Sequence, residues 1–562
     1  MILNDFNLEK EKIPYFIVIC IFTLIILIKM LQFQMSGGVS SPDCALYLIN
    51  ALNFAGIDYY HISFPNDIHY NPIICFLTSI LFRLGFVDKF SICLVSAAFS
   101  FLGNIGFYIF LRYKFSPILS LLGTVILSSF SISLIYLAGG LTDLPSVSIS
   151  IWILIFTIVA INKNPKYYVC ILPLLVIGFF TRYTVGYIFP VIICYYIMHH
   201  NCLTHLNNLF RNKSQLKEDL KNYLKSQEFK YIIISVCLAL FLFLIFSILI
   251  LSYGGQLNFV EQTLNTANSD KYTPSMVDYT LDKLYYFKVF SNALFDESRI
   301  LNTTLSVLLY AIILFGCVLT SIDFFKNKKY SKINKNKYKY IFISILSFIG
   351  LFISIKFISN HLLANLCFMI GILFAYFSIE TNLKNNKETT TFFLLNLIWF
   401  GTYFIFDSLY PIKVSRYLIP LLPPFVYFVI WGLDKIIQYV KERFSFNLNI
   451  VPYILIIVFC LSIFMYIEPM TLDGHPNDLV NVANYLNEHD PNYHSKIIMG
   501  YQKHNNIIKW NLKETTIPVN PKNVNSIDSG NATYVILNKK KSFENYTKIY
   551  KSGEIYLYSR IN

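Results

Sequence analysis

The chain has 562 residues, of which 55% are hydrophobic and only 14% are charged, with a net charge of +14 and a mean hydropathy of +0.53. Soluble proteins carry roughly 25% charged residues, so this composition excludes a soluble enzyme, a disordered scaffold and a disulfide-stapled secreted module. The 11 cysteines form no CxxC pair, which indicates neither a disulfide framework nor a cysteine-based metal site. The sequence therefore predicts an integral membrane protein.

Apolar runs along the chain predict the membrane-spanning helices. A span needs about 20 apolar residues, and runs of this kind predict about thirteen spans. The two short runs within 167–198 are also compatible with one long helix. In chain order, the runs fall near 13–34, 89–111, 116–138, 144–162, 167–181, 183–198, 231–253, 303–325, 340–357, 361–379, 391–410, 417–433 and 449–467.

The distribution of charge predicts the orientation in the membrane. Lys and Arg collect in 199–230 and in 326–339, whereas 35–71 contains acidic residues and no Lys or Arg. Cytoplasmic loops of membrane proteins carry the excess of Lys and Arg. We therefore expect a multi-pass plasma-membrane protein with a cytoplasmic N-terminus, an external first loop and an extracytoplasmic C-terminal segment. This topology accounts for the basic charge without a nucleic-acid partner.

The pattern divides the chain into two predicted domains. Residues 1–470 form the transmembrane domain, with external loops at 35–88 and 254–301. Within the first loop, the amphipathic run Asn71–Phe86 is too short to span comfortably and is typical of an interfacial or re-entrant helix. Residues 471–562 change to a soluble pattern and predict a small extracytoplasmic α/β domain.

The C-terminal domain carries its own pattern of elements. An amphipathic helix is predicted at Asp478–Glu488, with Asn477 or Asp478 as its N-cap. Short buried strands are predicted at 496–500 and 533–537, and a hairpin is predicted at 546–558.

Four charged residues are predicted to lie at the external ends of the spans: Asp43, Asp143, Arg182 and Arg416. Ionisable residues near the membrane are costly and therefore indicate function. A carboxylate can accept a proton or hold a divalent cation, and an arginine matches phosphate oxygens in bidentate geometry. The set points to a substrate that carries a phosphate tethered at the membrane.

Structural roles are the alternative for each of these residues. Asp43 and Asp143 each stand where a carboxylate caps the start of a helix. Arg182 and Arg416 stand where long side chains reach the lipid headgroups. Lys356 lies near the outer end of the ninth span. Its side chain either contacts the phosphate or extends to the membrane interface.

The order of short motifs resembles a known family. Residues 42–52 read Pro-Asp-x-Ala-x-Tyr-x-x-Asn-Ala-Leu, and 70–72 read Tyr-x-Pro before the interfacial helix. Thr-Asp-Leu-Pro at 142–145, Thr-Arg-Tyr at 181–183 and Arg-Tyr-Leu-Ile-Pro at 416–420 follow in the same order. Over roughly 13–433, the chain resembles the glycosyltransferase-C superfamily, in the branch of protein O-mannosyltransferases and the lipid A aminoarabinose transferase. The tail resembles the small soluble domain of many prokaryotic members.

The resemblance implies a glycosyltransferase that uses a polyprenyl-phosphate (dolichyl-phosphate-type) sugar donor at the external face, with an inverting single displacement. By the same resemblance, Asp43 would act as general base or position the acceptor, and Asp143 would assist it or help hold a metal ion. Arg182 and Arg416, with Lys356, would bind the donor phosphate.

The first loop supplies three further candidates for substrate contact: Tyr47, His69 and Tyr70. One position departs from the family, because Cys44 stands where many members carry a second acid. The cofactor is therefore left open, with a divalent cation held by Asp43 and Asp143 as one possibility.

Two other classes of function remain as alternatives. A lipid-linked oligosaccharide flippase or small-solute transporter would also have many spans, but it predicts charged or broken positions at mid-membrane. A membrane-anchored interaction protein would act through its 471–562 tail. For the enzyme, the partners are the lipid-linked donor, the membrane lipid and an acceptor that is protein, lipid or glycan.

Overall fold

The computed structural model describes residues 13–39, 41–57, 72–200, 221–253, 257, 282–295, 300–326, 336–380, 387–444, 448–467 and 475–561. Every predicted apolar run lies on helical structure. In chain order, the helices of this part are α1 (Ile13–Met35), α2 (Pro42–Ala55), α3 (Pro72–Arg83), α4 (Lys89–Arg112), α5 (Pro117–Ser129), α6 (Ser131–Tyr136), α7 (Asp143–Asn162), α8 (Tyr168–Thr181), α9 (Ile188–His199), α10 (Gln227–Ser252), α11 (Tyr285–Leu294), α12 (Ile300–Lys326), α13 (Asn336–Ile353), α14 (His361–Ile379), α15 (Lys387–Leu409), α16 (Leu422–Phe444) and α17 (Val451–Ile467).

The predicted fold class, an all-α polytopic membrane protein with a small C-terminal α/β domain, is confirmed. Among the described residues, 9 helices are long and apolar enough to cross a membrane. The four other predicted runs form shorter helical segments, so the count of about thirteen spans stays a prediction.

One predicted span is broken, and a candidate residue separates two others. The run at 167–198 is not one long helix: α8 ends at Thr181, Arg182 is extended, and a 3₁₀ turn at Tyr183–Tyr187 leads into α9. The run at 116–138 is divided at Phe130 into α5 and α6. A second 3₁₀ turn, Ser415–Leu421, precedes α16 and contains Arg416.

The helices differ in how deeply they lie in the bundle. In the segment Ser415–Phe444, 83% of the most apolar stretch is buried, against 11% in Lys337–Ile358. The first segment therefore forms the centre of the bundle. The second presents large apolar side chains outward, as expected of a helix that faces lipid.

The C-terminal domain is a five-stranded sheet with helices against it. Its elements are α18 (His475–His489), β1 (Ile498–Tyr501), α19 (Asn505–Leu512), β2 (Thr516–Val519), α20 (Val524–Asp528), β3 (Tyr534–Leu537), β4 (Tyr546–Ser552) and β5 (Ile555–Arg560). The strand order is β2-β1-β3-β5-β4. β1 pairs in parallel with β2 and β3, whereas β5 is antiparallel to β3 and β4.

The predicted amphipathic helix, two strands and hairpin are present in this domain, while β2, α19 and α20 were not predicted. The predicted N-cap is wrong, because α18 begins at His475 and so includes Asn477 and Asp478. The domain division at residues 470 and 471 stays a prediction.

The sheet domain packs against the beginning of the membrane domain. The Gly38 N–H donates to Oδ1 of Asn477 at 2.9 Å. The ring of Trp510 on α19 stacks on Phe82 of α3, with centroids 6.5 Å apart and an interplanar angle of 18°. Buried side chains of α2, α3 and the sheet domain form one apolar cluster. The domain therefore supports α2, the helix that carries Asp43.

Candidate active site

Asp43 lies in the first turn of α2, where the helix dipole favours a negative charge. Its carboxylate Oδ2 accepts a hydrogen bond from Nη2 of Arg416 at 2.6 Å. The N-cap of α2 is Ser41, whose hydroxyl accepts from the Asp43 N–H at 3.3 Å, so the capping alternative for Asp43 is wrong. The Asp43 side chain is 41% exposed, so the carboxylate is accessible from solvent while the arginine holds it.

Asp143 and Arg182 form a second, more buried pair. Oδ1 of Asp143 lies 2.7 Å from Nη1 of Arg182, and the two side chains are 2% and 14% exposed. Asp143 is the first residue of α7, and the preceding Thr142 hydroxyl accepts from the same Nη1 at 3.4 Å. The carboxylate is therefore paired with a guanidinium as well as placed at a helix start.

Tyr417 lies beside both arginines. The Cζ atom of Arg182 is 5.4 Å and that of Arg416 is 5.9 Å from the centroid of its ring. Both distances are within the range of a cation–π interaction. Tyr417 follows Arg416 on the 3₁₀ turn, so this short segment brings both ion pairs to one end of the bundle.

Tyr47 is buried on α2, one turn beyond Asp43, beside the same charges. Burial raises the pKa of its hydroxyl, and the charges of Asp43 and Asp143 raise it further, against the opposite effect of Arg182 and Arg416. The phenol therefore stays protonated near neutral pH and can donate a hydrogen bond.

The remaining predicted residues do not join this cluster in the described structure. Lys356 is exposed on a π-helical turn, Ser354–Ile358, and its Nζ lies 5.6 Å and 5.5 Å from the ring centroids of Phe352 and Phe357. His69 and Tyr70 lie outside the described residues.

Two buried polar atoms at the ion pairs have no hydrogen-bond partner among the described residues. They are Oδ2 of Asp143 and Nε of Arg416. A buried donor or acceptor without a partner is costly. These atoms are therefore available for a ligand that brings both an acceptor and a donor, as a sugar phosphate does.

The described residues do not fit a divalent cation at this site. Hard divalent ions prefer six or more oxygen ligands, several of them carboxylates. Here each carboxylate is bound by an arginine, and the described part of the chain holds no group of three or more His, Cys, Asp or Glu side chains suited to a metal.

Three residues at the site were not singled out from the sequence: Tyr417, Lys413 and Asp407. Lys413 is buried, and its Nζ donates to the backbone carbonyls of Asp407 and Ser408. A signal for Asp407 is present in the sequence, because an acid inside an apolar run is costly and indicates function. Asp407 lies within the apolar run at 391–410, where it does not interrupt the predicted span.

These features define a polytopic membrane protein with paired charges at one end of its helix bundle. A family model described as dolichyl-phosphate-mannose-protein mannosyltransferase matches residues 69–210. The structure is similar to that of ArnT from Cupriavidus metallidurans bound to undecaprenyl phosphate, with a TM-score of 0.53 and 10% identity over 97% of this chain and 98% of ArnT.

The apo state of the same ArnT gives the same TM-score and identity over 97% of both chains. Curated protein sequences give no match. The chain thus has the fold of ArnT, and the family resemblance predicted from the sequence motifs is confirmed.

Proposed function

We propose that the protein is a membrane glycosyltransferase that moves a sugar from a polyprenyl-phosphate donor to an acceptor at the external face, by a single displacement with inversion. The observation that carries the proposal is the pair of carboxylate–guanidinium contacts, Asp43–Arg416 and Asp143–Arg182, which lie beside Tyr417. The family match and the shared fold with ArnT, a protein seen with undecaprenyl phosphate, support it.

Asp43 is the general base in this proposal. Its exposed carboxylate can take the proton from an acceptor hydroxyl or amine while that group attacks the anomeric carbon. Arg416 fixes the carboxylate in position through the 2.6 Å hydrogen bond. Orienting the base and the acceptor in this way supplies much of the rate enhancement expected of such a site.

The arginines stabilise the leaving group. As the acceptor forms its bond to the anomeric carbon, the bond to the phosphate oxygen breaks, and the lipid phosphate leaves with the electron pair. The buried Arg416 Nε and the guanidinium of Arg182 provide donors for the charge that develops there. Asp43 takes the acceptor proton while the two guanidinium groups balance the negative charge of the leaving phosphate.

The orientation in the membrane is part of the proposal. The charge distribution supports a cytoplasmic N-terminus and an extracytoplasmic sheet domain. Labelling of intact cells with an impermeant maleimide tests it, using Lys522→Cys in the sheet domain and Lys163→Cys after α7, both at exposed positions. We expect labelling of the first variant alone, and the reverse pattern would overturn the orientation.

Sugar transfer by the purified protein in nanodiscs tests the activity. The substrates are undecaprenyl phosphates that carry a radiolabelled hexose, pentose or amino sugar, together with a membrane extract as the source of acceptor. We expect a labelled product of inverted anomeric configuration, and its mass identifies the acceptor as protein, lipid or glycan. Movement of the donor across a liposome membrane without a covalent product would instead favour the flippase or transporter alternative.

A further inference from the structure

A buried acid that the proposed mechanism does not use lies beside the Asp143–Arg182 pair. Asp407, near the end of α15, is 3% exposed, and it lines the same cleft as Asp143 and Arg182. Its carboxylate Oδ2 has no hydrogen-bond partner among the described residues. Asp407 therefore places an unused acceptor in the wall of a cleft that already belongs to the site.

The neighbouring Lys413 does not hydrogen-bond this carboxylate. Nζ of Lys413 donates to the backbone carbonyls of Asp407 at 2.6 Å and Ser408 at 2.9 Å, and it lies 5.1 Å from the ring centroid of Tyr286. The lysine thus satisfies carbonyl groups at the end of α15, a common role for a lysine there. A carboxylate oxygen buried without a hydrogen bond is costly, so a partner supplied from the cleft would offset that cost.

The cleft has the lining of a site for one sugar ring. Aromatic side chains dominate its walls, and they suit the apolar faces of a pyranose or furanose ring, while carboxylates suit its hydroxyl or amino groups. The aromatic residues are Tyr183, Tyr403, Phe406, Tyr410 and Tyr417.

We propose that this cleft holds the sugar of the lipid-linked donor and that Asp407 determines which sugar is accepted, by accepting hydrogen bonds from its O–H or N–H groups. The inference rests on the proposed function and goes beyond it, because it assigns recognition of the sugar to a residue that takes no part in the displacement. A site built around a buried hydrogen-bonding group rejects a ligand that lacks the matching group strongly.

Binding of lipids with and without a sugar tests the assignment. The full chain in nanodiscs is titrated with bare undecaprenyl phosphate and with undecaprenyl phosphates that carry a neutral hexose, a pentose or an amino sugar. For the wild-type protein we expect at least one sugar-bearing lipid to bind tenfold or more tightly than the bare lipid. Asp407→Asn is expected to lose that advantage while its affinity for the bare lipid stays within twofold of wild type.

Two further variants complete the test: a control outside the cleft and a second change within it. Asp434→Asn removes a half-buried acid that bonds Gln438 on α16, away from the cleft, and is expected to behave as wild type. Phe406→Trp narrows the cleft without a change of charge and is expected to lose the same advantage, which covers the case that Asp407→Asn does not fold.

The outcomes separate the two proposals. A wild-type preference for the sugar-bearing lipid that persists in Asp407→Asn overturns the role of Asp407. Equal binding of bare and sugar-bearing lipids by the wild type overturns the assignment of the cleft. Failure of the wild-type protein to bind any of these lipids overturns the proposed function itself.

Discussion

The guanidinium of Arg416 and the carboxylate of Asp43 lie 2.6 Å apart, although the two residues are separated by 373 positions in the chain. The contact joins the first turn of α2 to the 3₁₀ turn that leads into the central helix α16. It therefore ties an accessible carboxylate to the most deeply buried part of the bundle. A residue held in this way is suited to acid–base chemistry at the membrane boundary.

Replacement of Asp43 by Asn is expected to lower kcat for sugar transfer by about 10²–10⁴-fold, the range that a positioned general base supplies. The amide keeps the size of the side chain but cannot take the acceptor proton. Steady-state kinetics in nanodiscs measure the effect, with Asp434→Asn as the control acid outside the site. Wild-type kcat in Asp43→Asn would show that the reaction does not need this base.

The two arginines are expected to differ in their effect on stability. Arg182→Ala leaves the carboxylate of Asp143, 2% exposed, without its partner, and breaking a buried pair in this way costs about 3–5 kcal/mol. Arg416→Ala leaves Asp43, which is 41% exposed and can be solvated by water, so the loss of this pair is expected to cost less.

Thermal unfolding of both variants in the same detergent measures this difference, with donor turnover measured in parallel. We expect both variants to lose activity and only Arg182→Ala to lose much stability. An equal fall in the unfolding temperature of the two variants would contradict the contrast in burial on which the prediction depends.

The sequence was sufficient to predict the charged residues at the site but not how they pair. Asp43, Asp143, Arg182 and Arg416 stand out because ionisable groups are rare at membrane boundaries. Which arginine meets which acid depends on helix packing and on the breaks at Arg182 and Ser415–Leu421. The break at Arg182 coincides with the gap between the runs at 167–181 and 183–198, whereas the turn at Ser415–Leu421 is not evident from the apolar run at 417–433.

Physical reasons also explain why β2 and Asp407 were not predicted. β2 is only four residues long and contains Pro518, which is tolerated because β2 is an edge strand. An edge strand pairs on one side only, and β2 therefore lacks the continuous apolar run that predicts a buried strand. Asp407 has a different reason, since a single acid barely changes the mean hydropathy of a 23-residue helix although its presence there is costly.

The close approach of the sheet domain to the first loop is expected to depend on Gly38. A Cβ at this position would overlap the backbone carbonyl of Pro476 and lie 2.9 Å from Cγ2 of Val480 on α18. Gly38→Ala is therefore expected to push α18 away and to weaken the hydrogen bond from the Gly38 N–H to Asn477.

Hydrogen exchange of α2 and α18 measures this loosening, which we expect to appear as faster exchange in both helices. Gly186→Ala is the matched control, because its Cβ would find only an ordinary contact of 3.6 Å with Phe179. Unchanged exchange in Gly38→Ala would show that the loop and α18 can separate without affecting either helix.

Lys413 is expected to make stability depend on pH in the alkaline range. Burial lowers its pKa from 10.5 to about 8, although Asp407 and Asp282 act in the opposite direction. Between these two values the unfolded chain binds a proton that the folded protein has released, so the free energy of unfolding rises with pH across this window. The full change corresponds to on the order of 3 kcal/mol.

A comparison with Lys413→Met isolates this contribution, because the methionine fills similar space without a titrating group. Thermal unfolding of both proteins is measured at pH values from 7 to 10.5. Below pH 8 both states of the wild type hold the proton, so the difference between the two proteins should be constant there. Above pH 8 it should move in favour of the wild type as the buried ammonium is neutralised. A difference that stays flat to pH 10.5 would show that the folded protein keeps Lys413 charged, with the bonds to the carbonyls of Asp407 and Ser408 compensating for its burial.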